Sequence, residues 1–200
     1  MKRFLIGMIV LVASGLWLLP STAIAQKKFV IKPLAEKKLK QLPAGVLYWR
    51  IENFPTLAEA QAATGPTSLA ADVSGKVWLF TLGPKGGATT PGGTKVAEVG
   101  PVPLVVAPNY LLRINHASGP PGAKTSLHSH PGSEVFYVLA GQVGQTTPHG
   151  TSYANAGESM NGHGPDTPMQ VFSSGTTDLD QLVMFVVDAT RPFSERIKSH

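Results

Sequence analysis

The chain has 200 residues, of which 42% are hydrophobic and 14% charged, and it carries 17 lysines and arginines against 12 acidic residues. This length suits one globular domain and excludes two full-sized enzyme domains. Because the chain contains no cysteine, disulfides, thiol nucleophiles, cysteine zinc sites, iron–sulfur clusters and an acylated lipoprotein anchor are excluded.

The first 25 residues have the pattern of an export signal. Two basic residues precede an apolar run of 16 residues at 4–19, Pro20 interrupts the run, and small residues offer a cleavage site after Ala25. A run of that length is short for a membrane span. We therefore predict a cleaved signal peptide at 1–25, with an uncleaved anchor as the alternative. The mature chain is expected in the periplasm or outside the cell, without a transmembrane span.

The positive charge is concentrated in residues 26–40, where six lysines accompany a single glutamate. From residue 41 onward there are 9 basic and 11 acidic residues, so the body of the protein is close to neutral. A nucleic-acid surface needs basic residues spread over a folded face with stacking aromatics among them. We predict a flexible, solvated arm and no nucleic-acid partner, with contact to an anionic envelope surface as the alternative.

Short apolar runs separated by glycines and prolines follow the arm, a pattern typical of sandwiches and barrels. We predict that residues 41–109 form strands and a helix packed on a barrel of residues 110–190, and that 191–200 are a tail. The helix is expected at 56–63, where Thr56 and Glu59 have the spacing of a capping box. The strands are expected at 46–52, 76–82, 95–99, 110–115, 125–130, 134–140, 169–172 and 181–187.

All six histidines lie beyond residue 115, and two of them are His128 and His130. On a strand, residues two apart project from the same face. A tight turn at 131–133 follows, and Glu134 then opens the next strand, which returns a carboxylate beside the two imidazoles. Two imidazoles and one carboxylate are a plausible ligand set for a divalent transition metal, with positions left for water, oxygen or substrate. The alternative is an exposed turn whose histidines bind nothing.

This stretch resembles the first motif of the cupin family. The motif is a glycine, five residues, His-x-His, three or four residues, a glutamate, six residues and a glycine. The spacing is met in full by Gly122, His128, His130, Glu134 and Gly141. The resemblance implies an all-β double-stranded β-helix, or jelly-roll barrel, that holds one divalent transition metal (iron, manganese, zinc, nickel or copper). It also makes a homodimer plausible, although no residue fixes the interface.

The second cupin motif is only half present. Gly157 fits its opening glycine, but His163 stands where the family has proline and Pro165 where it has glycine. Pro168 takes the place of the remaining metal histidine, and Phe172 replaces an asparagine. Because a proline side chain cannot ligate a metal, the usual fourth protein ligand is missing.

Two arrangements of the site remain open. His163 could turn inward and complete the metal shell, or the metal could be held by His128, His130 and Glu134 with water in the remaining position. Strand alternation predicts that Phe136 lines the pocket on the same side as Glu134, and that Gln170 shares the inward face with position 168.

The sequence therefore predicts an exported, metal-binding cupin that binds or acts on a small organic molecule in its barrel. If it is an enzyme, the resemblance is compatible with dioxygenase or isomerase chemistry. The alternative is a non-catalytic periplasmic binding or structural cupin with a degenerate second motif. A protein that works at a surface through its lysine arm is a third hypothesis.

Overall fold

A computed structural model describes residues 28–198, so the predicted signal peptide lies outside the described residues. Within this range the chain forms antiparallel strands and one short helix, α1 (Leu57–Ala62). The strands are β1 (Val30–Leu39), β2 (Leu47–Phe54), β3 (Ser68–Val73), β4 (Lys76–Pro84), β5 (Thr94–Val99), β6 (Tyr110–Gly119), β7 (His128–Ser129), β8 (Gly132–Ala140), β9 (Gln142–Thr147), β10 (Gly150–Asn155), β11 (Ser159–Asn161), β12 (Gln170–Ser173), β13 (Leu179–Asp188) and β14 (Glu195–Arg196).

Eight of these strands, β6 to β13, form a barrel of two layers. One layer has the order β6-β13-β8-β11, and in the other β9 lies between β10 and β12. The short strand β7 joins the second layer beside β12 through the bridge between His128 and Met169. The layer orders β6-β13-β8-β11 and β7-β12-β9-β10 are those of a jelly roll. The prediction of an all-β double-stranded β-helix is therefore confirmed.

Strand β13 is apolar on both faces because both faces are covered. Leu182 and Met184 pack outward with the core under the four-stranded sheet. Val183, Phe185 and Val187 belong to the core on the opposite face, inside the barrel. This two-sided burial explains why the strand reads as a continuous apolar run and not as an alternating one.

Residues before the barrel form a second sheet, with the order β3-β4-β2-β5. Its buried side chains, including Trp49, Trp78 and Phe80, pack against the outer face of β6, β8 and β13. At the start of α1, the Thr56 hydroxyl accepts a hydrogen bond from the Glu59 backbone N–H at 3.2 Å and donates to the Glu59 carboxylate at 2.8 Å. The predicted helix and its capping pair are confirmed.

Within residues 28–198, part of the segment expected to be a flexible arm and part of the segment expected to be a tail form strands. Residues of the lysine-rich arm form β1, which pairs with β6 from Val30 opposite Ser118 to Leu39 opposite Tyr110. The backbone of β6 offers an unpaired edge on this side, and pairing with it satisfies the polar groups of both strands. At the other end of the chain, β14 pairs with β7.

Among residues 28–198, no helix is both long enough and apolar enough to span a membrane.

Candidate functional site

A cavity of about 300 Å³ lies inside the barrel. The inward faces of β6, β8 and β13 form its floor. His128 on β7 and His130 just after it contribute the two imidazoles, and residues from the N-terminal and C-terminal segments close the side. Its aromatic lining consists of Phe29, Phe136, Phe185 and Phe193, and its polar lining includes Arg113, Asn115, His128, His130, Glu134 and Gln181.

Strand register sets the order of these side chains. Phe185 on β13 lies opposite Arg113 on β6 and opposite Glu134 on β8, so these three side chains form one row across the floor. The next inward row contains Asn115, Val183 and Phe136 in the same strand order. The cavity therefore combines charged and apolar groups at fixed positions on rigid strands.

Two of the predicted ligands, His130 and Glu134, lie close together and are almost fully buried. His130 Nε2 is 3.8 Å from Glu134 Oε2. The His130 ring also packs against Phe185 and Phe193, with ring centroids 4.9 and 4.7 Å away. The ring of His128 stands nearly perpendicular to that of His130, with centroids 5.0 Å apart.

Backbone carbonyls orient both imidazoles. His128 Nδ1 lies 2.8 Å from the carbonyl oxygen of Ser126, and His130 Nδ1 lies 2.7 Å from that of Phe193. A carbonyl oxygen can only accept, so each Nδ1 carries the proton and each neutral ring keeps a lone pair on Nε2. This is the tautomer of a metal-binding histidine whose second nitrogen is held by the protein.

Burial makes the uncharged forms of these groups the stable ones. Desolvation raises the pKa of Glu134 to about 8, against a smaller opposing effect of its hydrogen bond from Gln145. Desolvation also lowers the pKa of His130 to about 4 and lowers the pKa of His128. In the metal-free protein at neutral pH, the imidazoles are therefore neutral and the carboxyl group is mostly protonated.

The donor set fits a divalent transition metal in kind. Two Nε2 lone pairs and one carboxylate are ligands that such metals accept, and both rings are held by backbone oxygens. Among residues 28–198, however, no three histidine, cysteine, aspartate or glutamate side chains surround a common centre. Glu134 is instead held by Gln145, whose Nε2 donates to Glu134 Oε1 at 2.5 Å and lies 3.4 Å from the sulfur of Met169.

His163 does not join these residues, which differs from the first of the two predicted arrangements. Its ring stacks on His149, with centroids 5.7 Å apart, and it is not part of the cavity lining. The N–H of Gly162 donates to the carbonyl of Glu134 at 3.0 Å. Position 162 thus lies over Glu134, whereas the ring of the next residue, His163, contacts His149.

The two other predicted lining residues have different positions. Phe136 lines the cavity. Gln170 does not: Val171 faces the cavity, and Gln170 Nε2 donates to the Thr125 carbonyl at 2.9 Å. The prediction counted the inward face from Pro168, but the buried residues of this segment are at odd positions, Met169, Val171 and Ser173.

Several residues of the site were not predicted from the sequence, among them Arg113 and Gln181, which line the cavity, and Gln145, which donates to Glu134. Gln145 and Gln181 are almost fully buried. A glutamine within the apolar run of β13 is the one signal that could have been noticed, since long polar side chains are rarely buried without a partner. Arg113 gives no comparable signal, because alternation alone does not say which face is inward.

Solved structures with a similar fold share little sequence with this chain. A cupin-like protein from Thermotoga maritima matches with a TM-score of 0.40 and 18% identity, over 44% of this chain and 65% of that one. A DMSP lyase from Ruegeria pomeroyi matches with a TM-score of 0.37 and 20% identity, over 42% of each chain. A polyketide cyclase from Streptomyces resistomycificus matches with a TM-score of 0.37 and 20% identity, over 44% and 62%.

In each of these three pairs the chain spans less than two thirds of the other structure's length. At TM-scores this low, the likenesses carry no argument about activity. No protein-family model matches the chain, and no curated protein does.

Proposed function

We propose that this chain is a metal-binding cupin that binds or acts on a small organic molecule in its barrel. The observation that carries the proposal is the orientation of the two imidazoles. Both Nδ1 atoms donate to backbone carbonyls, which leaves a lone pair on each Nε2, and His130 Nε2 lies 3.8 Å from the buried carboxyl group of Glu134. The motif spacing from Gly122 to Gly141 supports the same proposal.

In this proposal His128, His130 and Glu134 hold one divalent transition metal, which would supply Lewis-acid or redox chemistry when bound. The chain's own residues prepare the site. Gln145 orients the carboxyl group of Glu134 through its hydrogen bond. The Phe185 and Phe193 rings cover His130 and exclude water from it. Dioxygenase and isomerase chemistry are both compatible with such a site.

A second candidate function is non-catalytic ligand binding in the same barrel. One arrangement favours it: the Gln145 amide donates to Glu134, and the Met169 sulfur lies beside that amide. Neither group exchanges protons at neutral pH. A periplasmic binding or structural module is therefore the alternative.

Export and assembly complete the proposal. Residues 1–25 would direct the chain to the periplasm or the medium and be removed after Ala25, and two mature chains would pair. Mass spectrometry of the mature N-terminus from the native cell tests the first point. Light scattering of the purified protein tests the second. An intact N-terminus or a monomer would refute the corresponding part.

Elemental analysis tests the metal site itself. Wild type, His128→Ala, His130→Ala and His163→Ala are exposed to equal amounts of each candidate metal and freed of excess. We expect about one metal per chain in wild type, and a loss in the first two variants. His163→Ala is the matched control, since its ring stacks on His149 outside the cavity, and it should keep the metal. Equal, negligible metal in all four proteins would refute the site.

A further inference from the structure

Gln181 brings an unpartnered amide into the wall of the cavity. Its side chain is fully buried, and neither Nε2 nor Oε1 has a hydrogen-bond partner within residues 28–198. The residues opposite it are Ala117 on β6 and Val138 on β8, which offer no polar side chain. A buried amide without a partner is strongly disfavoured. Gln181 belongs to the lining of the cavity, so its amide is a candidate partner for a bound molecule.

Arg113 provides a cationic group at another point of the same floor. Its Nε donates to Asn115 Oδ1 at 2.8 Å, its Nη1 forms an ion pair with Glu36 Oε1 at 2.9 Å, and its guanidinium lies 4.1 Å from the centre of the Phe193 ring. These contacts fix the plane of the guanidinium. They leave Nη2 without a hydrogen bond in the described part of the chain, available to a ligand carboxylate, which pairs well with a guanidinium fork.

The charges around the cavity favour an anionic ligand. The charged side chains in its lining are Arg113, Arg196 and Glu134. Glu36 offsets Arg113 from outside the lining, but its side chain is 47% exposed. Arg196 is exposed near the C-terminal side of the cavity and has no ion pair within residues 28–198. The lining therefore carries a positive balance whether Glu134 is protonated or ionised.

Register gives the length of the molecule that would reach both groups. Arg113 lies opposite Phe185, and Gln181 precedes Phe185 by four residues on the same strand. At about 3.3 Å per residue the two Cα positions are roughly 13 Å apart along the floor. Both long side chains can shorten that gap. Between them lie the apolar groups of Val183 and Phe136, with Asn115, the partner of Arg113, at the β6 end of the same row.

We propose that the cavity binds an organic carboxylate with an apolar middle, whose acid group meets Arg113 and whose far end carries a hydrogen-bonding group that meets Gln181. The proposal rests on the proposed function, because it names the class of molecule taken by the same cavity. It makes Gln181 and Arg113 specificity-determining residues for that molecule.

Calorimetric titration with three probes tests it. The probes are phenylpropanoate, which has the acid group alone, its para-carbamoyl derivative, which adds a distal amide, and phenylpropanamide, which has no acid group. Wild type should bind the para-carbamoyl acid about tenfold more tightly than phenylpropanoate, and phenylpropanoate about tenfold more tightly than phenylpropanamide, as expected for one buried hydrogen bond and one ion pair.

Variants assign each preference to a residue. Gln181→Leu should lose the preference for the distal amide and keep the preference for the acid. Arg113→Met should lose the preference for the acid and keep the preference for the distal amide. Arg113→Lys should retain part of the preference for the acid. Gln170→Leu is the matched control, because Gln170 is not part of the cavity lining, and it should bind all probes as wild type does. Circular dichroism confirms that each variant is folded.

Each outcome supports or overturns the proposal. If Gln181→Leu keeps the preference for the distal amide, or if wild type shows none, the amide of Gln181 serves only a buried water. If wild type binds no probe, in metal-free and metal-loaded form alike, the ligand class is wrong. Metal content is measured on the same samples, so failure of the ligand class is distinguished from failure of the metal site.

Discussion

Glu134→Gln tests whether the buried carboxyl group is protonated in the metal-free protein. Glutamine has the shape of a protonated glutamate and can still accept the hydrogen bond from Gln145 Nε2. The substitution therefore removes the titration of this group and preserves its packing. The unfolding free energies of wild type and variant should therefore depend differently on pH. They should be similar at a pH where Glu134 is protonated in both the folded and the unfolded state.

The magnitude follows from the raised pKa of Glu134, about 8 in the folded protein against 4.5 in the unfolded chain. Because the folded state holds the proton more tightly, this group stabilises the fold fully below pH 4.5, and the contribution is lost as pH rises through about 8. At about 1.4 kcal/mol per pKa unit, the whole loss is roughly 5 kcal/mol.

Above its ordinary pKa of 6.5, His130 is neutral in both states and adds no slope. Its own effect has the opposite sign: its folded pKa of about 4 makes stability rise with pH up to 6.5. Between about pH 6.5 and about pH 9, the difference in unfolding free energy between wild type and Glu134→Gln should therefore change by about 2 kcal/mol, with wild type losing stability.

Urea denaturation of chelator-treated protein measures this difference. The buried Trp49 and Trp78 report unfolding by fluorescence. Glu158→Gln is the control, because Glu158 is exposed and binds Asn155 at the surface, and its profile should parallel that of wild type. If the wild-type and Glu134→Gln profiles also run parallel above pH 6.5, Glu134 is ionised in the folded protein and the account of a neutral, buried site is wrong.

Two further predictions concern stability. Gln181→Leu should raise the unfolding free energy of ligand-free protein by about 1–3 kcal/mol, because it removes an amide buried without a partner; unchanged or lower stability in urea denaturation would contradict this. Gly162→Ala should destabilise the protein by more than 1 kcal/mol (about 1–3 kcal/mol), because a Cβ there would lie 2.1 Å from the carbonyl oxygen of Glu134. Gly164→Ala is its control, since that Cβ would meet only Pro103 at 3.8 Å; equal melting temperatures for the two variants would refute the steric argument.

The strands that could be predicted are those whose own residues are apolar enough to indicate that they are buried. The apolar runs at 134–140 and 181–187 are covered on both sides and stand out in the sequence. Strands β9 and β10 were missed because they are rich in threonine, serine and glycine, and β10 is mostly exposed. Their pairing with each other, and that of β9 with β12, decides their structure. The composition of a strand does not show which neighbouring strand it will pair with.

The site could be predicted only where two residues share a strand or a tight hairpin. The spacing of His130 and Glu134 is enough to bring them together, because the turn between them is short. Gln170 was misplaced by one step of alternation, which exchanges the two faces of a strand. Gln145 reaches Glu134, and Gln181 reaches the cavity, from strands whose register depends on the whole barrel, and spacing along the chain does not contain that information.

The ends of the described chain complete the cavity that the barrel strands begin. Phe29 and Ile31 belong to the N-terminal segment expected to be a solvated arm, and Phe193 and Arg196 to the segment expected to be a tail; all four line the cavity. The backbone carbonyl of Phe193 also fixes the tautomer of His130. The His-x-His and glutamate motif therefore supplies the candidate ligands, whereas the two terminal segments contribute part of the cavity wall. This cavity can therefore differ in selectivity from other barrels that carry the same motif, because these lining residues lie outside the motif.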